Sequence, residues 1–180
     1  MTLADQLTVA RAASVVLVVA LFQWNFEDHL YWATAVFVAA MATDQVDGWL
    51  ARRKGLTSTL GSVLDPVADK ILVLAMLIMV VGTGAFPAWM VALIVAREFL
   101  VSGLRLAAIE RGVVIPARDL GKLKTWAQTV AATIGGFAAA GAWSTDIAWW
   151  ALLVALVFTW ASGIDYARAA PRLLRSSTTG

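Results

Sequence analysis

The chain has no cysteine, a single histidine and little charge: 14% of its 180 residues are Asp, Glu, Lys or Arg, against 61% that are hydrophobic. Lacking cysteine, it forms no disulfide and no thiolate metal site. The 14 Lys and Arg nearly balance the 12 Asp and Glu, which leaves no broad basic surface for a nucleic-acid partner. So little charge on so apolar a chain argues against a soluble globular domain.

What is present is a series of apolar stretches, at roughly 9–24, 32–52, 61–82, 87–109, 120–141 and 147–168. Each approaches the ~20 residues a helix needs to cross a hydrocarbon core. The expected fold is an all-α membrane protein, a six-transmembrane-helix bundle forming a single domain over 1–180. Its short connections suggest that successive helices are antiparallel neighbours. The first stretch lacks a small-residue cleavage site leading into a soluble domain, so it is expected to stay as an anchor.

The distribution of cations gives an orientation, because short cytoplasmic loops carry the excess of Lys and Arg. Arg11 lies near the N-terminus, Arg52, Arg53 and Lys54 in the second connection, Arg111, Arg118, Lys122 and Lys124 around the fourth, and Arg168, Arg172 and Arg175 in the tail. The connections near Glu27 to His29, Gly82 to Pro87 and Trp143 to Asp146 have none, and Trp24, Trp32, Trp89, Trp143, Trp149 and Trp150 gather there, as an interfacial aromatic belt would. Both termini are expected on the cytoplasmic side of a multi-pass inner or plasma membrane protein. His29 falls on the opposite side as a loop residue, so no Ser-His-Asp arrangement can be built around it on the cytoplasmic face.

Against this background four aspartates stand out. An ionisable side chain at membrane depth costs at least about 2.5 kcal/mol and usually marks function. Asp44, Asp47, Gly48 and Ala51 follow the 0, 3, 4, 7 spacing of one helix face, and Gly61, Asp65 and Asp69 repeat every four residues. Folded side by side, the two helices would bring four carboxylates around one cavity, where they would repel unless neutralised. All-oxygen ligation favours two divalent cations, Mg2+ or Mn2+, which can activate a nucleophile and stabilise a leaving phosphate. Gly48, Ala51 and Gly61 remove bulk beside the acids, and Arg52 offers a cation to phosphate. A packing network of these acids with Arg52, Lys54 and Lys70 is the structural alternative, and the small-residue spacing disfavours it.

Together the residues read D-x-x-D-G-x-x-A-R, eight residues, then G-x-x-x-D-x-x-x-D. From Asp44 to Asp69 this resembles the signature of the CDP-alcohol phosphotransferase family at every fixed position. The resemblance implies a six-helix membrane enzyme that displaces CMP from a CDP-linked donor by an acceptor hydroxyl, using two divalent metals. It implies Asp44, Asp47 and Asp65 as metal ligands and Asp69 as both ligand and catalytic base. It also implies Asp47, Gly48, Ala51, Arg52 and Gly61 around the CMP moiety of CDP-diacylglycerol. The upstream segment is similar to the family's N-x-x-T-x-x-R, with Thr8 and Arg11 in place and Asp5 where Asn is usual.

The second half is similar to the phosphatidylglycerophosphate synthase branch, through Ala96-Arg97-Glu98, Ser102 to Arg105, and Gly121 to Thr125 with Gln128. Arg97, Val101 and Arg105 share a helix face, and Lys122 and Lys124 open the fifth span on the same side. With Arg118 they are candidates to bind the phosphate of glycerol 3-phosphate, a small dianion that needs fixed positive charge, with Arg105 and Lys122 leading and Glu98 pairing a neighbouring cation. Topology or lipid-headgroup anchoring is the alternative role for these cations. The function implied is transfer of the phosphatidyl group from CDP-diacylglycerol to glycerol 3-phosphate. A phosphatidylinositol phosphate synthase and a cardiolipin synthase are alternatives within the family. A cation transporter is the alternative of another class. Gly103, Gly135 and Gly136 suggest close helix packing and are candidates for a homodimer face.

Overall fold

Short connections separate six helices: α1 (Leu3–Gln23), α2 (His29–Lys54), α3 (Thr59–Gly82), α4 (Ala88–Glu110), α5 (Asp119–Ala139) and α6 (Thr145–Ser176). The structure, a computed structural model, describes the backbone of residues 3–54, 59–110 and 119–176, and the side chains of residues 10, 12–43, 70–110 and 120–168. No strand occurs among the described residues. The six-helix, all-α expectation agrees with this architecture, although α6 runs past the apolar stretch that defined it, to Ser176.

Local chemistry explains where the helices stop and start. At the end of α5, Gly141 takes a left-handed φ of 77°. The Gly141 N–H then donates to Ala138 and the Ala142 N–H to Phe137, the paired bonds that close a helix on a glycine. Ser144 caps α6, its hydroxyl accepting from the Asp146 N–H at 3.1 Å. Asp28, at φ 60°, turns the chain into α2 and its carbonyl accepts from Trp32, a conformation Asp tolerates better than most residues.

The helices bury one face each. Ala33, Phe37 and Met41 recur every four residues on α2, and Leu72, Met76 and Val80 do so on α3. The outward residues are also apolar: Phe99 is 70% exposed, and Leu104, Leu106, Val154 and Val157 are exposed as well. Arg97, Glu98, Lys124 and Gln128 are buried instead. A water-soluble domain has the opposite arrangement. Among the described residues, Thr145–Arg168 is the one helical segment long and apolar enough to cross a membrane, and Ala12–Gln23, His29–Thr43 and Lys70–Gly82 are shorter apolar segments.

Successive helices pack as expected for α1 with α2, α3 with α4 and α5 with α6, and several helices also pack out of chain order. α5 packs most extensively on α6, α1 packs on both α2 and α3, and α4 packs on α6 and, less, on α3. α5 also packs on both α2 and α3. α4 and α5 meet through side chains, with Glu98 of α4 accepting from Lys124 and Gln128 of α5. Short connections place successive helix ends together, but the glycines and bulky side chains decide which faces meet. A Cβ on Gly135 would overlap the Phe86 ring, and one on Gly136 would overlap Met76 and Thr34. Those two glycines therefore admit α5 into the centre of the bundle, so they do not form a dimer face. A Cβ on Gly103 would meet nothing within 4 Å, so the packing expectation does not hold for that residue.

Candidate functional site

Three helices, α4, α5 and α6, enclose a buried polar cluster centred on Glu98. Arg97 and Glu98 are each only 3% exposed. One Glu98 oxygen, Oε1, accepts from Arg97 Nη1 at 3.0 Å, from Gln128 Nε2 at 3.2 Å and from Lys124 Nζ. Gln128 also donates to Thr159 Oγ1 at 2.8 Å, and Arg97 Nη2 donates to Ser162 Oγ at 2.9 Å. Gly163 makes room for this arginine, since a Cβ there would stand 3.0 Å from Arg97 Nε. α3 joins from the other side: Lys70 Nζ donates to Ser102 Oγ at 2.8 Å and lies 3.9 Å from Glu98 Oε2.

Buried ions persist only when paired and hydrogen-bonded, and Glu98 meets that condition for Arg97 and Lys124 together. The cluster forms the wall of a cavity of about 390 Å³. Lys70, Arg97, Arg105, Lys122 and Lys124 line it against two carboxylates, Glu98 and Asp165. Among the described residues its lining is therefore net cationic. The Arg105 guanidinium sits 5.7 Å from the Tyr166 ring centroid, within cation–π range, which holds an exposed arginine at the cavity rim. The Tyr166 hydroxyl and Glu98 Oε2, both buried at this cavity, have no hydrogen-bond partner among the described residues. Such a site suits a small anion that also carries hydroxyl groups.

Residues 1–161 match the CDP-alcohol phosphatidyltransferase family. The chain belongs to that family. One relative is the CDP-diacylglycerol–glycerol-3-phosphate 3-phosphatidyltransferase of Bacillus subtilis (strain 168), 39% identical over 182 residues that cover 91% of this chain and 92% of that protein. A second is a probable phosphatidylglycerophosphate synthase of Mycobacterium tuberculosis (strain ATCC 25618 / H37Rv), 42% identical over 78% of this chain and 66% of that protein. A chloroplastic/mitochondrial CDP-diacylglycerol–glycerol-3-phosphate 3-phosphatidyltransferase of Arabidopsis thaliana is 39% identical over 74% of this chain and 50% of that protein.

For this family member the cation candidates divide clearly. Arg97, Arg105, Lys122 and Lys124 line one cavity, while Arg118 lies outside the described residues. Arg97 and Lys124 are tied to Glu98, whereas Arg105 and Lys122 are exposed. Glu98 pairs with cations as expected. Thr8 and Arg11 fall on α1, Asp44, Asp47, Gly48, Ala51 and Arg52 on α2, and Gly61, Asp65 and Asp69 on α3; their side chains lie outside the described residues. Among the described residues no group of His, Asp or Glu is placed to hold a metal.

Sequence reasoning did not place Lys70, Ser102, Ser162 or Tyr166 in this cavity. Lys70 carried a signal, being a cation beside Asp69 within an apolar span. Ser162 and Tyr166, four residues apart on α6, flank Gly163, Ile164 and Asp165, and no spacing there marks either residue.

Proposed function

We propose that this chain is a multi-pass membrane enzyme that transfers the phosphatidyl group of CDP-diacylglycerol to glycerol 3-phosphate, yielding phosphatidylglycerophosphate and CMP. The observation that carries the reading is the cavity in which five cations from α3, α4 and α5 converge on the side of the bundle that also bears the aspartate segments. Its size and charge fit a small dianion bearing hydroxyls. The names of the relatives support the same donor and acceptor. The inverted burial pattern, with apolar residues outward and ions inward, supports a bundle embedded in the membrane, and the bias of Lys and Arg to one set of connections supports both termini and the site on the cytoplasmic face.

In this reading Arg105 and Lys122 hold the acceptor phosphate, and Arg97 and Lys124, braced by Glu98, add fixed charge behind them. Ser102 and Ser162 hold Lys70 and Arg97 in place. The acceptor's 1-hydroxyl attacks the β-phosphorus of the donor, the bond from that phosphorus to the CMP oxygen breaks, and Asp69 takes the hydroxyl proton. Four hard carboxylate donors at helical spacing fit two divalent cations, which Asp44, Asp47, Asp65 and Asp69 would hold and which would supply charge neutralisation at the phosphates. Asp47, Gly48, Ala51, Arg52 and Gly61, with Thr8 and Arg11, frame the donor's CMP. The protein's share of catalysis is positioning and electrostatics.

Purified enzyme given magnesium and CDP-diacylglycerol is expected to release CMP when glycerol 3-phosphate is added, and not with inositol phosphate or phosphatidylglycerol. Equal release with either of the other acceptors would sink the assignment. Arg105→Ala is expected to raise the KM for glycerol 3-phosphate by about tenfold or more, the scale of one charge-assisted bond, with a smaller change in the donor KM. Steady-state kinetics varying each substrate in turn separates the two.

A further inference from the structure

One ammonium faces two acceptors that lie a helical turn apart on α4. Lys70 Nζ donates to Ser102 Oγ at 2.8 Å, and the same nitrogen lies 3.9 Å from Glu98 Oε2. We propose that Ser102 is a positioning residue that keeps Lys70 off Glu98, so that the ammonium stays available to the acceptor phosphate as a third cation with Arg105 and Lys122. The proposal rests on the phosphatidyl-transfer reading above.

Glu98 is the stronger competitor for this lysine. Its Oε1 accepts from Arg97, Lys124 and Gln128, whereas Oε2 is buried and has no hydrogen-bond partner among the described residues. A buried carboxylate oxygen left unbonded is costly, and an ammonium is held more strongly by a carboxylate than by a hydroxyl. Shortening the 3.9 Å gap by about 1 Å would complete the bond, a movement within reach of a flexible lysine stem. Bonded to Ser102, the ammonium stops short of it.

The two positions differ in what they leave for a ligand. Glu98, Ser102 and Arg105, spaced by four and three residues, share the face of α4 that lines the cavity. Exposure rises along that face, from buried Glu98 through half-buried Ser102 to exposed Arg105. The Lys70 side chain is 38% exposed against 4% for Glu98, so at Ser102 it stands on the open side of the buried ion cluster. A hydroxyl holds an ammonium without cancelling its charge. Glu98 would cancel it, adding Lys70 to the cations it already neutralises, and the cavity would lose a free positive charge.

Ser102→Ala removes the tether and little volume. It is expected to raise the KM for glycerol 3-phosphate by about tenfold, the scale of one charge-assisted bond, with the CDP-diacylglycerol KM and the melting temperature in detergent held. Ser102→Thr keeps the hydroxyl and is expected to keep the wild-type KM. In a Lys70→Met background Ser102→Ala is expected to have no further effect on the acceptor KM, because no ammonium is left to place. The position of the ammonium is read without turnover by acetic anhydride labelling and peptide mass mapping. Lys70 is expected to react several-fold more slowly in Ser102→Ala than in wild type, as Nζ withdraws to Glu98, and glycerol 3-phosphate is expected to protect it in wild type.

A serine that served only packing would give a lower melting temperature with both KM values unchanged, which would overturn the proposal. Equal labelling of Lys70 in wild type and Ser102→Ala would overturn it too, as would additive effects of the two substitutions. If Lys70→Met does not fold, the labelling still decides. Absence of glycerol 3-phosphate-dependent CMP release from wild type would instead remove the phosphatidyl-transfer reading, an outcome separate from where Lys70 sits.

Discussion

Asp69→Asn is expected to reduce CMP release by about 10²- to 10⁴-fold, the usual contribution of a positioned general base, while CDP-diacylglycerol binding stays measurable. The substitution preserves volume and a carbonyl oxygen. It removes the ability to accept a proton and one negative charge. Asp69 follows Asp65 by one helical turn on α3 and directly precedes Lys70, whose ammonium is bonded to Ser102 of α4. That bond ties the residue next to the proposed base to the wall of the cationic cavity, so in the proposed mechanism the same contact would help set the base against the acceptor hydroxyl. If Asp69 served only as a metal ligand, raising the magnesium concentration would recover much of the lost rate. Recovery of that kind would reassign it, and near-normal turnover would remove it from the mechanism.

Much of this architecture was legible in the sequence, because the bilayer imposes a simple rule on helix length and on where charge can sit. Six apolar stretches became six helices. Arg97 and Arg105, eight residues apart on α4, and Lys122 and Lys124 at the start of α5 meet at one cavity because helical spacing and a common bundle end bring them there. Packing partners were less legible. Loop length decides which helix ends meet, whereas interhelical contact depends on where small residues let a neighbour in, as Gly135 and Gly136 do beneath Phe86 and Met76. The contribution of α6 was hidden for a related reason. Thr159, Ser162 and Gly163 are weakly polar or small residues in an apolar run, and they acquire meaning only when Gln128 and Arg97 are found against them. The aspartates were the reverse case, carried by spacing and family signature alone.

Glu98→Gln is expected to be the most damaging change away from the aspartates. Among the described residues Glu98 is the carboxylate shared by Arg97 and Lys124, with Lys70 close by. Glutamine keeps the shape and one acceptor oxygen but strands the surrounding cations in a buried site. Breaking a buried ion pair from one side costs about 3–5 kcal/mol, which is a large part of the stability of a typical domain, so the melting temperature in detergent should fall sharply. A structural role alone would lower kcat by the folded fraction and leave both KM values unchanged. If Glu98 also positions the cations that receive the acceptor phosphate, the KM for glycerol 3-phosphate rises among the folded molecules while that for CDP-diacylglycerol holds. The sign of the charge effect can be isolated by a second substitution. Lys124→Met removes one stranded cation, so Glu98→Gln with Lys124→Met is expected to be more stable than Glu98→Gln alone, a coupling that a double-mutant cycle measures directly. The double variant should remain poor in acceptor KM, because the charge it sheds belongs to the pocket. Recovery of stability together with a normal acceptor KM would confine the cluster to holding α4, α5 and α6 together.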